Sequence, residues 1–388
     1  MSTRLKVILW ILISAGFVFG YAGLILPGQT AILETPRPGT YQFQRLHIFL
    51  FNLVCGGTLL LQYTHGDHRL SWREWLYLAA SLVFSLMAFL NQYLVAAILA
   101  LGLAIIVESV RIKTFGALPN ELFQTKIPLS RRFHHSAVLC LSLGLFISAA
   151  VILDDIYLHW LNLRSLLLDD FFLGFSFPLS LVTFAIIFSL VREDSPKWVR
   201  AARESSFWIV TVGVILFFVV IILGIVPAEL CLAVLLLMDV ALIFYLFRLD
   251  LADRSEPADF LTSGMIFLVL TGVTGLLLVL WGIATPNDQY GRNLLLQTHA
   301  YLSLYGWNLA GFTVIVHRYD FPLRLNDLPI ILLHWVTTAL LAPLGSMHPI
   351  FAFAAIPAFI TLTGLILLSR PSDRRNRKPG ALPSTPGL

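Results

Sequence analysis

The chain has 388 residues, of which 58% are hydrophobic and only 12% charged, with a formal net charge of +4. Soluble domains carry about 25% charged residues, so this chain lacks the charge to cover a water-facing surface and must face lipid. That excludes an ordinary cytosolic enzyme, a nucleic-acid binder and a disordered protein, and makes the lipid bilayer its first partner.

About 20 apolar residues cross a bilayer as a helix. By that rule the sequence predicts an all-α polytopic membrane protein of twelve spans, at 5–27, 42–64, 73–91, 92–112, 134–154, 166–191, 205–226, 227–250, 260–283, 294–316, 327–345 and 348–369. Tight hairpins are expected at Asn91-Gln92 and Val226-Pro227. The first span has the short basic start of a signal peptide, but no A-x-A site follows it, and it is retained as a span. Residues 1–369 thus form one integral membrane domain, and the basic, Pro/Ser/Gly-rich segment 370–388 reads as a disordered cytoplasmic tail. Cys55, Cys140 and Cys231 sit in apolar runs with no CxxC or CxxCH, which argues against disulfides, a zinc ribbon and covalent c-type haem.

The basic residues test this division. With the N-terminus inside, 22 of the 26 Lys and Arg residues fall on inner segments and only Arg37, Arg45, Arg164 and Arg292 on outer ones. A missed helix would invert the alternation downstream, so the positive-inside rule supports the count and places both termini in the cytoplasm. The expected location is the bacterial cytoplasmic (inner) membrane.

Ionisable residues at lipid depth are costly and mark function by default. His47 in span 2, Asp170 in span 6 and His299 in span 10 are each followed by an aromatic residue two positions later and a leucine three later. Their spacing is close to a third of the chain, which predicts a pseudo-threefold 4+4+4 arrangement. All three helices would run from outside to inside, bringing His47 and His299 to the same depth. Two imidazoles at equal depth can clamp one haem iron. Asp169 and Asp170 otherwise read as caps at a helix start. The glycines beside Cys55 and Tyr305 would admit a neighbouring backbone or a porphyrin face.

The twelve spans, Arg45-Leu46-His47 followed by Gly56-Gly57, and the run from His299 through Tyr301 and Tyr305 to Trp307 resemble the haem-copper oxidase subunit I superfamily, nearest its C-type oxidase and nitric oxide reductase branches. The resemblance implies three four-helix arcs. It also implies copper-ligating histidines in spans 6 and 7 and a His-x-His in span 10, whose first histidine serves a high-spin haem and whose second serves a low-spin haem. Spans 6 and 7 contain no histidine here, so no copper centre of that type is expected, and span 10 reads His299-Ala300-Tyr301. Residues i and i+2 lie about 200° apart on a helix. Either His299 faces His47 across a six-coordinate low-spin haem, or it holds the high-spin position and leaves one side of the iron open.

The resemblance therefore implies a membrane protein holding one haem b through His47 and His299, with Tyr301, Tyr305 and Trp307 lining the porphyrin. It would transfer electrons or handle NO or O2 in a respiratory-type complex, beside other membrane or periplasmic electron-transfer subunits. Asp239, in the middle of span 8, and Asp170 are candidate proton-relay carboxylates. Glu108 and Arg111 read as a structural i,i+3 pair. A second haem or quinone among His134, His135, His317 and His334 is conceivable, though no spacing favours it. Two other readings remain open: a secondary transporter using intramembrane carboxylates, and a structural or assembly subunit without cofactor.

Overall fold

The computed structural model describes residues 1–25, 43–67, 69–160, 175–192, 194–251, 256–285, 287–321 and 323–369. Asp169, Asp170 and the tail 370–388 lie outside the described residues. Helices follow one another with short turns: α1 (Thr3–Ile25), α2 (43–65), α3 (Trp72–Phe89), α4 (Tyr93–Phe115), α5 (Leu129–Leu158), α6 (Phe177–Ser189), α7 (Lys197–Leu223), α8 (Val226–Leu249), α9 (Glu256–Ala284), α10 (289–316), α11 (Leu328–Met347) and α12 (Pro349–Leu367). Among the described residues there is no strand, only an isolated bridge between Val191 and Leu251. The three cysteines are unpaired.

Nine of these helices are long and apolar enough to cross a bilayer. The others expected to span are α3, α6 and α10. Two of these sit inside the bundle, α6 along most of its length and α10 from Tyr301 onward, where a helix meets protein rather than lipid and can carry polar residues such as Asn308. Burial separates centre from rim. Of the apolar window of α2, 94% is buried, against 28% in α7 and in α8 and 22% in α9. Ile98, Ile105, Leu223 and Met238 on the rim are exposed, as lipid-facing side chains are.

The three central helices touch one another. Gly56 of α2 lies against Leu179 of α6, Phe51 of α2 packs on Phe312 of α10, and the Trp307 indole of α10 donates to Ser180 of α6 at 3.1 Å. Around them α1 packs on α2, α3 on α4, α4 on α5, α5 on α6 and α7, α7 on α8, α8 on α9, α9 on α10 and α11 on α12. The packing of α12 back onto α1 closes the ring.

Three helix ends differ from the expected spans for one physical reason. Helices α5, α7 and α9 begin at Leu129, Lys197 and Glu256, before the apolar windows at 134, 205 and 260. Their first turns are charged and are held by ion pairs and hydrogen bonds rather than by lipid. Within α2, α10 and α11 the helix widens to π geometry over Phe49–Gly56, Leu302–Asn308 and Val336–Leu341. Such segments free backbone groups that neighbouring side chains must satisfy. In α10 the Tyr305 carbonyl accepts from His334 Nε2–H at 2.7 Å.

Candidate functional site

His47 is buried on α2, with its ring against α1, where Gly20 makes room: a Cβ there would stand 3.2 Å from His47 Nδ1. Its other face stacks on Tyr305 of α10, with ring centres 6.1 Å apart. Tyr305 continues into a packed aromatic group. Phe17 lies 5.1 Å and Tyr301 6.0 Å from it, Tyr21 stacks on Tyr301, and Phe359 of α12 stacks on Phe17 at 3.9 Å. These rings are all nearly or fully buried, and Tyr21 also donates to the Ala342 carbonyl at 2.8 Å. Such ring pairs add about 0.5–1.5 kcal/mol each beyond their burial.

His299 turns elsewhere. Its Nδ1–H donates to the Thr271 carbonyl of α9 at 3.0 Å, and the Thr274 hydroxyl lies 3.2 Å from the same nitrogen. The ring rests on Gly275, where a Cβ would meet Cε1 at 3.2 Å. Tyr301, two residues on and about 200° around the helix, takes the face toward His47 instead. The structure thus brings His47, Tyr301 and Tyr305 together and sets His299 apart on α9.

This arrangement does not fit one haem clamped between His47 and His299, because the α10 side chains facing His47 are tyrosines. The donor chemistry of His299 alone matches that of a lone imidazole ligand. A ligating imidazole characteristically fixes one ring nitrogen on a carbonyl and presents the other. His299 Nδ1 is so fixed, and among the described residues nothing hydrogen-bonds to its Nε2.

The remaining expected site residues are distributed across the bundle. Trp307 points into the α6–α10 contact, where it packs on Phe184 and joins a polar chain of Ser180, Asn308 and Ser176. Gly57 receives the Tyr77 ring and Gly306 the Phe267 ring. Asp239 is buried between α7 and α8, where Ser206 donates to its Oδ1 at 2.7 Å and Oδ2 has no partner. Leu237 packs on Gly272 of α9, whereas Asp239, about 200° further round α8, faces Ser206 of α7. The histidines of the conceivable second site each have their own protein partner: His134 with Thr64, His135 with Arg111, His317 with the Ile366 carbonyl and His334 with the Tyr305 carbonyl. Among the described residues no three His, Cys, Asp or Glu side chains form a metal-binding group. Arg111 and Glu108 pair as the i,i+3 spacing predicts, at 2.5 Å.

One end of the bundle collects the ionic ties. Lys6 of α1 donates to Asp320 at 2.6 Å, beyond the end of α10, and lies 3.0 Å from His317 Nδ1. Asp250 at the end of α8 pairs with Arg203 and accepts from Ser195, and Glu256 accepts from the Leu323 and Leu325 amides. Burial opposes the charge on Asp320, but the hydrogen bonds of His317 and Lys6 outweigh it and hold the carboxyl well below the usual carboxylate range. The tie therefore stabilises the fold above the unfolded value of about 3.9 and is lost as pH falls through the lower folded value. Lys6→Met is expected to cost about 1–2 kcal/mol at neutral pH, since it leaves the partly exposed Asp320 carboxylate with His317 as its remaining partner. Thermal unfolding in detergent should show that gap close on acidification below the folded value, where Asp320 is neutral in both proteins.

No protein-family model, curated protein or solved structure matches the chain. Two structural features went unread in the sequence although it carried a signal for one. His65 and His317 follow His47 and His299 by eighteen residues each and precede Asp67 and Asp320. Each sits at 3.1–3.2 Å from a carboxylate, Glu74 and Asp320 respectively. The seat of His299 on Thr271 and Gly275 had no such signal, because those residues resemble any small, weakly polar helix positions.

Proposed function

We propose that the protein is a membrane haem b protein on a scaffold like that of haem-copper oxidase subunit I, with His299 as the single axial ligand. It would handle a small gas, NO or O2, within a respiratory-type complex and without a copper centre. The observation that carries the reading is the tethered Nδ1 and unbonded Nε2 of His299, on one of three mutually packed central helices. Helices α2, α6 and α10 hold the second place in each group of four, and α4–α5, α8–α9 and α12–α1 form the seams between groups. That pattern supports twelve spans in a 4+4+4 arrangement. The concentration of basic residues at the end bearing Lys6 supports a cytoplasmic position for both termini in a bacterial inner membrane.

Held by His299, haem b would supply an iron capable of one-electron chemistry and of binding a diatomic gas. The chain's part would be to fix the imidazole through the Thr271 carbonyl of α9. Asp239, with its free Oδ2, is the candidate intramembrane proton carrier. Partners would be membrane or periplasmic electron-transfer subunits.

A second reading rests on the closed aromatic packing around His47: a structural or assembly subunit that keeps the scaffold without a cofactor. Oxidised and reduced absorption spectra of the purified protein separate the two. Haem b with a five-coordinate reduced spectrum that shifts on adding carbon monoxide supports the first. A colourless protein that co-purifies with respiratory subunits overturns it in favour of the second. His47→Ala is expected to retain the pigment, and its loss there would restore the bis-histidine arrangement.

A further inference from the structure

A cavity of about 570 Å³ opens where α2 ends, α3 begins, α4 ends and α5 begins. Thr64, His65, Arg73, Glu74, Lys113 and Arg131 contribute to its wall. The acid in this wall is already engaged: Glu74 accepts the Ser71 amide at 2.5 Å in a capping box and lies 3.1 Å from His65 Nδ1. Arg131 is held bidentately by Glu121 and lies over the Phe115 ring. Arg73 stacks beside Trp72, and no described carboxylate pairs with it or with Lys113. The cavity thus has two cations with unspent charge and the Thr114 hydroxyl in its wall, while the Thr64 hydroxyl is taken up by the Leu60 carbonyl and His134.

The surface leading to the cavity is apolar. Ile98, Ile105 and Ile112 recur every seven residues along the exposed side of α4, and Lys113, also exposed, follows Ile112 about 100° further round the helix, toward the cavity. Trp72, Trp75 and Leu76 are exposed at the start of α3. We infer that this cavity binds the phosphate headgroup of an anionic phospholipid, with acyl chains lying along the Ile98–Ile112 stripe. Arg73 and Lys113 meet the phosphate, and the tryptophans lie at headgroup level, as interfacial tryptophans do. The apolar stripe distinguishes a lipid from free phosphate, which would gain nothing from it. This inference is independent of the haem.

The test is lipid retention by the full chain, read by native mass spectrometry after titration with cardiolipin, phosphatidylglycerol or phosphatidylcholine in mild detergent. The wild type is expected to retain the anionic lipids and not phosphatidylcholine, with retention falling as salt rises. The double variant Arg73→Ala/Lys113→Ala should weaken retention by about thirty-fold, from the contribution of two interfacial cations. Lys197→Ala/Arg200→Ala, which removes two exposed cations from the start of α7, should leave it unchanged. Undiminished retention in the first variant, equal loss in the second, or equal retention of phosphatidylcholine overturns the inference. Displacement of the lipid by millimolar inorganic phosphate alone would show an anion site that does not recognise lipid, and overturns it too. Because both pairs are surface residues, a melting temperature matching the wild type verifies that each variant is folded.

Discussion

His299→Ala is expected to reduce the haem absorbance of the purified protein to background, the largest single effect the structure implies. The variant would remove the proposed iron ligand and leave the haem without a bond to the protein. Restoration of pigment by added imidazole would show that the pocket persists and that the ligand, not the fold, was lost. Thr274→Val is a milder probe, because it alters the surroundings of Nδ1 and leaves the Thr271 carbonyl in place. Loss of an outer-shell partner of this kind costs about 10–100-fold in affinity, so this variant should bind haem more weakly than the wild type. Full pigment in His299→Ala would end the single-ligand reading.

Arg132→Ala is expected to destabilise the bundle by about 3 kcal/mol, the typical effect of breaking a buried ion pair. Arg132 is 1% exposed at the start of α5. It donates two hydrogen bonds to Glu204 of α7, at 2.5 and 2.8 Å, and a third to the Leu122 carbonyl at 2.9 Å. The guanidinium also lies 4.2 Å from the Phe207 ring centre. Lysine cannot reproduce the planar fork, so Arg132→Lys should recover only part of the loss. Combined with Glu204→Gln, the cost should fall short of the sum, because both changes remove the same contact. Thermal unfolding of the four proteins in one detergent gives the comparison, and additive losses would contradict the coupling.

The positions of the helices follow closely from apolar run length, because a bilayer imposes a minimum length on any spanning segment. Charged first turns were harder to read. Lys197 to Arg203 lower local hydropathy, yet they belong to α7, since Arg203 meets Asp250 and the next turn carries Glu204 to Arg132. Residue spacing also established that His299 and Tyr301 face opposite ways, but left open which of them faces His47. That depended on α9: the Thr271 carbonyl accepts from one ring nitrogen and Gly275 leaves space for the imidazole. Trp307 shows the same limit, since an aromatic residue next to a glycine is compatible with a porphyrin wall and equally with its actual place against Ser180 and Phe184.

The shortage of charge in 388 residues by itself determined that this is a helical membrane protein, and the placement of its few ionisable groups determined where to look for chemistry. Only the tertiary structure decided that α2, α6 and α10 form the centre, that tyrosines occupy the face toward His47, and that the His299 imidazole packs against α9. The reason is physical. Hydropathy reports the cost of meeting lipid, residue by residue, whereas the direction of a buried side chain is set by space and hydrogen-bond partners on helices far away in the chain.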